Sequence, residues 1–205
     1  NNFVTIPAAM GLGAISLPIV ALLYRHGAFT WVDAEETARA TAAFCPWLFA
    51  TSAVRSSTQV FYALEDLKTP VRVSAATVVL TLLLGWLLLP YGVTGLCAAL
   101  SAASVLQLVV MTALLRRRCG ALGLRELSSS ALVQGALALV AALLARGVTT
   151  YGVWEDGGTL WNAFVLAAAL VVAVGAYAGG AITLGLDEVA PVMQKLRSKL
   201  GHRRR

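Results

Sequence analysis

Charged residues are scarce in this chain of 205 residues. Asp, Glu, Lys and Arg together make up 13% of it, about half of their usual share in soluble domains. Hydrophobic residues make up 59%. A soluble fold of this size needs more polar surface to cover its core, whereas lipid solvates apolar side chains directly. The composition therefore predicts an integral membrane protein.

Signatures of enzymes and of metal or redox sites are also lacking. The chain has two histidines and three cysteines, and they form neither an HExxH nor a CxxC motif. No phosphate-binding lysine motif occurs, and Gly11 and Gly13 lack the third glycine of a dinucleotide-binding loop. The carboxylates lie almost wholly between the apolar runs, so no buried acid pair is predicted. We therefore expect no catalytic residue, no metal, no cofactor and no enzymatic activity.

The apolar runs are long enough to cross a bilayer as helices. About 20 apolar residues span the hydrocarbon core, and these runs are continuous, unlike the alternating strands of a membrane barrel. Pro90 and Gly92 divide the longest run in two, and Pro7, Pro18 and Pro46 are expected to bend helices. The fold class predicted is all-α integral membrane with six transmembrane helices, at 3–24, 40–64, 72–89, 94–115, 127–145 and 159–184.

The net charge of +6 predicts membrane topology and not nucleic-acid binding. The basic residues lack the interleaved aromatic side chains of a base-stacking surface. Between the predicted spans, only Arg25, Arg39 and Arg146 fall on one side of the membrane. By the positive-inside rule the other side, and with it both ends of the chain, is cytoplasmic. The twelve basic residues on that side are Lys68, Arg72, Arg116, Arg117, Arg118, Arg125, Lys195, Arg197, Lys199, Arg203, Arg204 and Arg205.

Arg55 is the one ionisable residue deep in a predicted span. An arginine at the centre of a membrane helix costs about 2.5–3.5 kcal/mol on insertion scales, so its side chain is expected to face a polar cavity or a partner. Thr51, Thr58 and Gln59 recur with it at three- and four-residue steps, which places all four on one helix face. We interpret Arg55, Thr51, Thr58 and Gln59 as candidate substrate-binding residues of a cavity that receives an anionic group. A structural ion pair, or extension of the side chain to the membrane interface, is the alternative.

Two further predictions concern the ends of helices. Asp33, with Glu36 three residues later, has the pattern of a capping box, so the second helix is predicted to begin near Ala34, outside the membrane. Residues 187–205 combine charged and apolar residues at helical spacing and end in three arginines. This pattern predicts a basic cytoplasmic tail on the membrane surface.

Two connections resemble those of a known family. The segment LLYRHGAFT (22–30), followed by Asp33, and the segment FYALEDLKTP (61–70) are similar to the patterns "llf-x-rG-x-F" and "FYA-x-x-D-x-kTP" of the MurJ (MviN) lipid II flippases. Gly92 and Gly95 form a turn that also suits this family, and the spacing of the six spans extends the resemblance over nearly the whole chain. The second motif is fairly specific, whereas the apolar spans are not.

The resemblance implies a particular place in a larger fold. The family belongs to the multidrug/oligosaccharidyl-lipid/polysaccharide exporter superfamily, and its members have two six-helix lobes followed by two extra helices. The six spans would then be equivalent to spans 9–14 of that 14-helix fold. Residues 1–118 would complete the C-terminal lobe, 119–186 would be two extra helices forming a lipid-tail groove, and 187–205 would be the basic tail.

The resemblance also implies a function. The chain would be part of a transporter that flips lipid II, a lipid-linked peptidoglycan precursor, across the bacterial cytoplasmic membrane by alternating access, in peptidoglycan biosynthesis and the maintenance of cell shape. Arg55 lies where the family often carries a basic residue in its tenth span and would attract the pyrophosphate of an undecaprenyl-linked substrate. Other implied partners are membrane lipids and the N-terminal lobe, which carries the family's best-known essential arginines. We interpret the chain, which begins without methionine, as the end of a longer protein that does not flip lipid alone.

Two alternatives remain open from the sequence. A polysaccharide or multidrug exporter of the same superfamily would have the same lobe, but such exporters generally stop at twelve spans. A membrane scaffold without transport activity would bind a partner of cell-wall assembly.

Overall fold

A computed structural model describes the backbone of residues 2–119 and 124–184 and the side chains of residues 5–118 and 133–184. Its helices are α1 (Asn2–Ala14), α2 (Ser16–Tyr24), α3 (Trp31–Ala63), α4 (Lys68–Leu88), α5 (Gly92–Cys119), α6 (Leu124–Thr149) and α7 (Leu160–Thr183). Short 3₁₀ turns lie at Leu89–Tyr91 and Trp154–Asp156. The predicted tail, 187–205, lies outside the described residues.

α1 and α2 together correspond to the first predicted span. They are bent by 69° relative to one another, at a break around the buried Ile15. Pro18 has no backbone N–H to donate to the carbonyl of Ala14, four residues earlier, so one helical hydrogen bond is lost at this point, which favours a bend. Pro46, in contrast, lies inside the uninterrupted α3.

α4 and α5 form an antiparallel hairpin. The turn between them contains Pro90, and Gly92 follows it with φ of +64°, a left-handed conformation that glycine adopts without strain. Across the hairpin, the Nε2 amide of Gln107 donates to Oγ of Ser74 at 3.1 Å. The predicted division of the long uncharged run into two helices is confirmed.

The chain is an all-α membrane protein. Two of its stretches are long and apolar enough to cross a membrane, Lys68–Arg118, which contains the α4–α5 hairpin, and Leu160–Thr183. The bent pair α1–α2 meets the same criterion as one span. α3 is less apolar because charged side chains occupy its N-terminal turns and position 55, and the apolar stretch of α6 is the shorter Val133–Thr149. With α1 and α2 counted as one span, the described helices match the six predicted segments.

α3 is the central helix of the bundle. It packs against α5 on one side and against α1 and α2 on the other. α6 packs against α1 and α7, and α4 against α5. Many of the fully buried positions are alanine, which lets helix backbones approach closely; they include Ala34, Ala50, Ala103, Ala145, Ala169 and Ala181. α6 and α7 thus join the other helices mainly through α1 and α2, while the division at residues 118 and 119 stays a prediction.

The predicted grouping of the connections agrees with two long-range contacts. At one end of the bundle Arg118, at the end of α5, forms a 2.9 Å salt bridge with Asp66, between α3 and α4. At the other end Nη1 of Arg25 donates to the carbonyl oxygen of Trp154 at 3.4 Å, which joins the α2–α3 and α6–α7 connections. Loops predicted to share a side of the membrane therefore do lie together.

The predicted cap of the second helix is wrong by one turn. Thr30, and not Asp33, is the N-cap residue of α3, which begins at Trp31 instead of near Ala34. The backbone N–H of Asp33 donates to Oγ1 of Thr30 at 3.3 Å, and the N–H of Thr30 donates to Oδ2 of Asp33 at 2.8 Å. Asp33 thus supplies the acidic member of the capping box, a role assigned to Glu36 from the sequence.

Asn162, in the first turn of α7, organises the α6–α7 connection. Its side chain is fully buried. The Nδ2 amide donates to the carbonyl oxygens of Val153 and Gly157, each at 2.7 Å, and Oδ1 accepts from the N–H of Val153 at 3.0 Å. One side chain therefore binds three backbone groups of an irregular loop. The two carbonyl oxygens also accept from the N–H groups of Asp156 and Thr159.

Replacement of Asn162 by alanine is expected to destabilise the fold by about 1–3 kcal/mol, because three hydrogen bonds between a fully buried side chain and the loop backbone are lost. Thermal unfolding of the two proteins in detergent measures this difference. Thr150→Ala, which removes an exposed hydroxyl from the same region, is the matched control and should change the midpoint little. An Asn162→Ala protein as stable as wild type would contradict the role given to this side chain.

Candidate functional site

The four predicted site residues lie on one face of the C-terminal half of α3. Arg55 and Gln59 are exposed, and Thr51 and Thr58 are partly buried. At about 100° per residue, the four positions fall within a sector of roughly a quarter of the helix circumference. Tyr62, also exposed, continues this line by one turn.

Contacts on both flanks leave this face of α3 open. On one side Oγ of Ser101 in α5 donates to the carbonyl oxygen of Ala43 at 2.6 Å, and Phe61 is fully buried. On the other side the hydroxyls of Thr5 in α1 and Ser52 are 3.4 Å apart. The polar face lies between these two packed sides, so within the described bundle it is accessible to a ligand or to another part of the protein.

The guanidinium of Arg55 makes neither a salt bridge nor a side-chain hydrogen bond to any residue that the structure describes. The ion pair considered from the sequence is therefore not found in this part of the chain. Thr58 donates its hydroxyl to the carbonyl of Val54 at 2.9 Å, which leaves its oxygen lone pairs free to accept. The arrangement offers a charged donor beside neutral polar groups, which suits an anionic ligand.

An aromatic pair on the same face was not predicted from the sequence. The rings of Phe44 and Trp47 are stacked with their centroids 4.5 Å apart. Helical geometry places them in line with Thr51, toward the N-terminal end of α3. Their spacing of three residues is the only signal that the sequence offers for this pair, and many helices share it.

Residues of α1, α6 and α7 line an apolar cavity. Its volume is about 510 Å³, and it reaches from Pro7 and Gly11 of α1 to Ala138 of α6 and Tyr177 of α7. No charged residue lines it. It lies where the sequence predicts a groove for a lipid tail, with the difference that α1 also forms a wall.

The second recognised motif forms a compact turn between α3 and α4. The hydroxyl of Thr69 donates to Oδ2 of Asp66 at 2.7 Å and its backbone N–H to Oδ1 at 3.1 Å. Arg118 reaches the same carboxylate. These hydrogen bonds from Thr69, with the charge of Arg118, hold the pKa of Asp66 below its ordinary value, although partial burial opposes the shift. Asp66 thereby ties the turn to the end of α5.

A family model for the lipid II flippase MurJ matches residues 2–172, from α1 to the first half of α7. The chain belongs to the lipid II flippase MurJ family. This match confirms the resemblance seen in the two motifs.

Curated relatives extend the comparison over most of the chain. A protein of Rhizobium tropici named "Probable lipid II flippase MurJ" is 30% identical over 205 residues, which cover 96% of this chain and 38% of that protein. A protein of the same name from Vibrio cholerae is 26% identical over 195 residues, covering 90% of the chain and 36% of the relative. The chain thus spans little more than a third of the length of these MurJ relatives.

Substitution of Asp66 by asparagine is expected to lower stability at neutral pH and to have less effect in acid. The folded-state pKa is below the unfolded value of about 3.9, so the contribution of the carboxylate is present above that pH and is lost as the pH falls through the folded-state pKa. Unfolding midpoints of wild type and Asp66→Asn should therefore differ at pH 7 and approach each other below about pH 4.

The neighbouring exposed residue Glu65 provides the matched control. Glu65→Gln removes a carboxylate from the same turn without touching Thr69 or Arg118, and should behave as wild type at both pH values. A difference between Asp66→Asn and wild type that is equally large in acid would contradict the role assigned to the ionised carboxylate.

Proposed function

We propose that this chain forms part of a transporter that moves lipid II across the bacterial cytoplasmic membrane by alternating access. The family match over residues 2–172 carries this proposal. The geometry supports it, because one helix face presents a cation without a partner among the described residues, and an apolar cavity lies elsewhere in the same bundle. A lipid-linked substrate has both an anionic headgroup and a long apolar tail, and each part needs a different surface.

The face of α3 around Arg55 would receive the anionic headgroup. A guanidinium presents a planar set of donors that matches phosphate oxygens. Thr51, Thr58 and Gln59 would line the cavity as neutral hydrogen-bonding groups. They allow the headgroup to leave again, since neutral hydrogen bonds are weaker than charge-assisted ones.

The cavity between α1, α6 and α7 would hold the undecaprenyl tail. A continuous apolar lining suits an isoprenoid chain, because the chain then exchanges lipid for surroundings of similar polarity. The tail would then stay in a lipid-like surrounding while the headgroup crosses through the polar cavity.

The remaining partners follow from the same proposal. The relatives are longer than this chain, and their further length would include a second lobe that faces the open side of α3 and closes the cavity. The chain is then a multi-pass segment of the cytoplasmic membrane with both of its ends in the cytoplasm, because the basic residues concentrate there. Rocking of the two lobes would expose the cavity to each side in turn.

A chimera tests the role of Arg55. The 205 residues replace the aligned segment of the Vibrio cholerae relative, and the chimera is expressed in cells depleted of their own MurJ. Arg55→Ala is expected to lower lipid II flipping about tenfold or more, because a charge-assisted hydrogen bond to a phosphate is lost. Arg55→Lys, which keeps the charge, should retain part of the activity.

The control for charge alone is Arg117→Ala, which removes an exposed arginine from the far end of α5. It should leave flipping unchanged at equal protein levels. Full activity of Arg55→Ala would overturn the role given to this residue, and an inactive parent chimera that is folded and present in the membrane would count against the transport function of this chain.

Gly11→Leu tests the apolar groove in the same chimera. A Cβ at Gly11 meets no atom within 4 Å, so the leucine side chain should enter the cavity without disturbing the helix, and leucine favours helix more than glycine does. Flipping is expected to fall because the tail site is filled. Gly147→Leu, at an equally open glycine of α6 that is not among the residues lining this groove, should remain active. Equal activity of the two variants would exclude the groove as the tail site.

A further inference from the structure

A second polar cavity lies on the side of α3 that faces away from Arg55. Its volume is about 510 Å³, and Arg39 of α3, Arg146 of α6 and Trp154 line it. Arg39 pairs with Glu35 at 3.0 Å, but the Arg39 side chain is largely exposed and that of Glu35 partly exposed, and surface pairs are weak. The guanidinium of Arg146 has no ion-pair or hydrogen-bond partner within the part of the chain that the structure describes. Glu35 also lines the cavity. An anionic group there would meet Arg146, which has no partner among the described residues, and Arg39 in a weak pair with Glu35.

The cavity bordered by Arg39 and Arg146, called the mouth below, continues into an apolar cavity between α1, α3 and α6, called the shaft. The two cavities share Gly13 and Ala42. The shaft has a volume of about 410 Å³, and Ile6, Met10 and Phe49 line it with no charged residue. Its size falls in the range of about 300–1,000 Å³ that is usual for ligand-binding cavities. A cationic mouth that opens into an apolar shaft is complementary to an amphiphile with an anionic headgroup and an apolar chain.

Mouth and shaft are separate from the two surfaces assigned to transport. At about 100° per residue, Arg39, Ala42 and Phe49 lie roughly 120–160° around α3 from Arg55. The groove proposed for the tail borders a different face of α1, the one that carries Pro7 and Gly11. A ligand in the mouth and shaft would therefore contact neither Arg55 nor the groove.

We propose that the mouth and shaft bind an anionic phospholipid, with its phosphate at Arg39 and Arg146 and one acyl chain in the shaft. The two guanidinium groups select for negative charge, and the apolar lining selects for a chain. The indole of Trp154, whose Nε1 donates to the carbonyl of Thr149 at 2.8 Å, is fixed beside the mouth, and tryptophan is typical of the headgroup level of a membrane. The site goes beyond the transport function, because it binds a membrane lipid at a place that the transported headgroup does not visit.

Native mass spectrometry of the 205-residue chain in mild detergent tests the proposal. Dioleoylphosphatidylglycerol, which is anionic, and dioleoylphosphatidylcholine, which is neutral overall, are added at equal concentration. Wild type should retain the anionic lipid about tenfold better, since charge-assisted hydrogen bonds are gained. The double substitution Arg39→Gln and Arg146→Gln should abolish the preference, whereas Glu35→Gln, which removes the competing carboxylate, should increase it.

Gly135→Leu tests the shaft independently of charge. A Cβ at Gly135 meets no atom within 4 Å, so the side chain should fill the shaft without a clash, and it should lower retention of both lipids. Arg117→Gln and Gly175→Leu, at an open glycine of α7, are the matched controls and should bind as wild type. Circular dichroism verifies that each variant is folded. An unchanged preference in the double arginine variant, or unchanged retention in folded Gly135→Leu, would overturn the proposal.

Discussion

Close packing of alanine positions against α3 is the constraint on which the rest of the structure depends. Ala34 and Ala50 of α3 are fully buried, and small side chains let neighbouring helix backbones approach one another. With α5 on one side and α1 with α2 on another, α3 keeps one open side and one side that is only partly covered by α1, α2 and α6. The open side carries Arg55, and the other faces the mouth and shaft. The separation of two polar surfaces along one helix thus follows from which sides the small residues occupy.

The two ends of the bundle are held by different chemistry. At one end the carboxylate of Asp66 accepts a hydrogen bond from Thr69 and forms an ion pair with Arg118, and these contacts hold α3, α4 and α5 together. At the other end the neutral amide of Asn162 satisfies backbone groups of the α6–α7 connection, and Arg25 reaches the same connection. A neutral, buried anchor does not depend on pH, whereas the anchor at Asp66 does. Among the described residues, the helices between these ends make few polar contacts with one another, which suits the helix movements that the proposed transport would require.

Local sequence signals predicted the helices well and their ends less well. The turn at Pro90 and Gly92 was predicted because its cause is local. Proline lacks a backbone N–H donor, and glycine readily adopts the left-handed conformation that follows it. The cap of α3 was misplaced by one turn, because Thr30 and Asp33 both have suitable side chains and only the backbone conformation decides between them. The face around Arg55 was predicted from spacing alone, but its openness was not, because that depends on where α1 and α5 pack.

By itself, the sequence determined the membrane environment, the helical segments, the grouping of their connections and the family, because these depend on hydrophobicity, charge count and short motifs that act within a few residues. Only the tertiary structure decided which helices meet. It follows from these contacts that α1 forms a wall of both the groove and the shaft. It also follows that Arg39 and Arg146, more than a hundred positions apart in the chain, border one cavity. Such contacts arise where small side chains let helices that are distant in the sequence pack together, and they cannot be predicted from the pattern within a single helix.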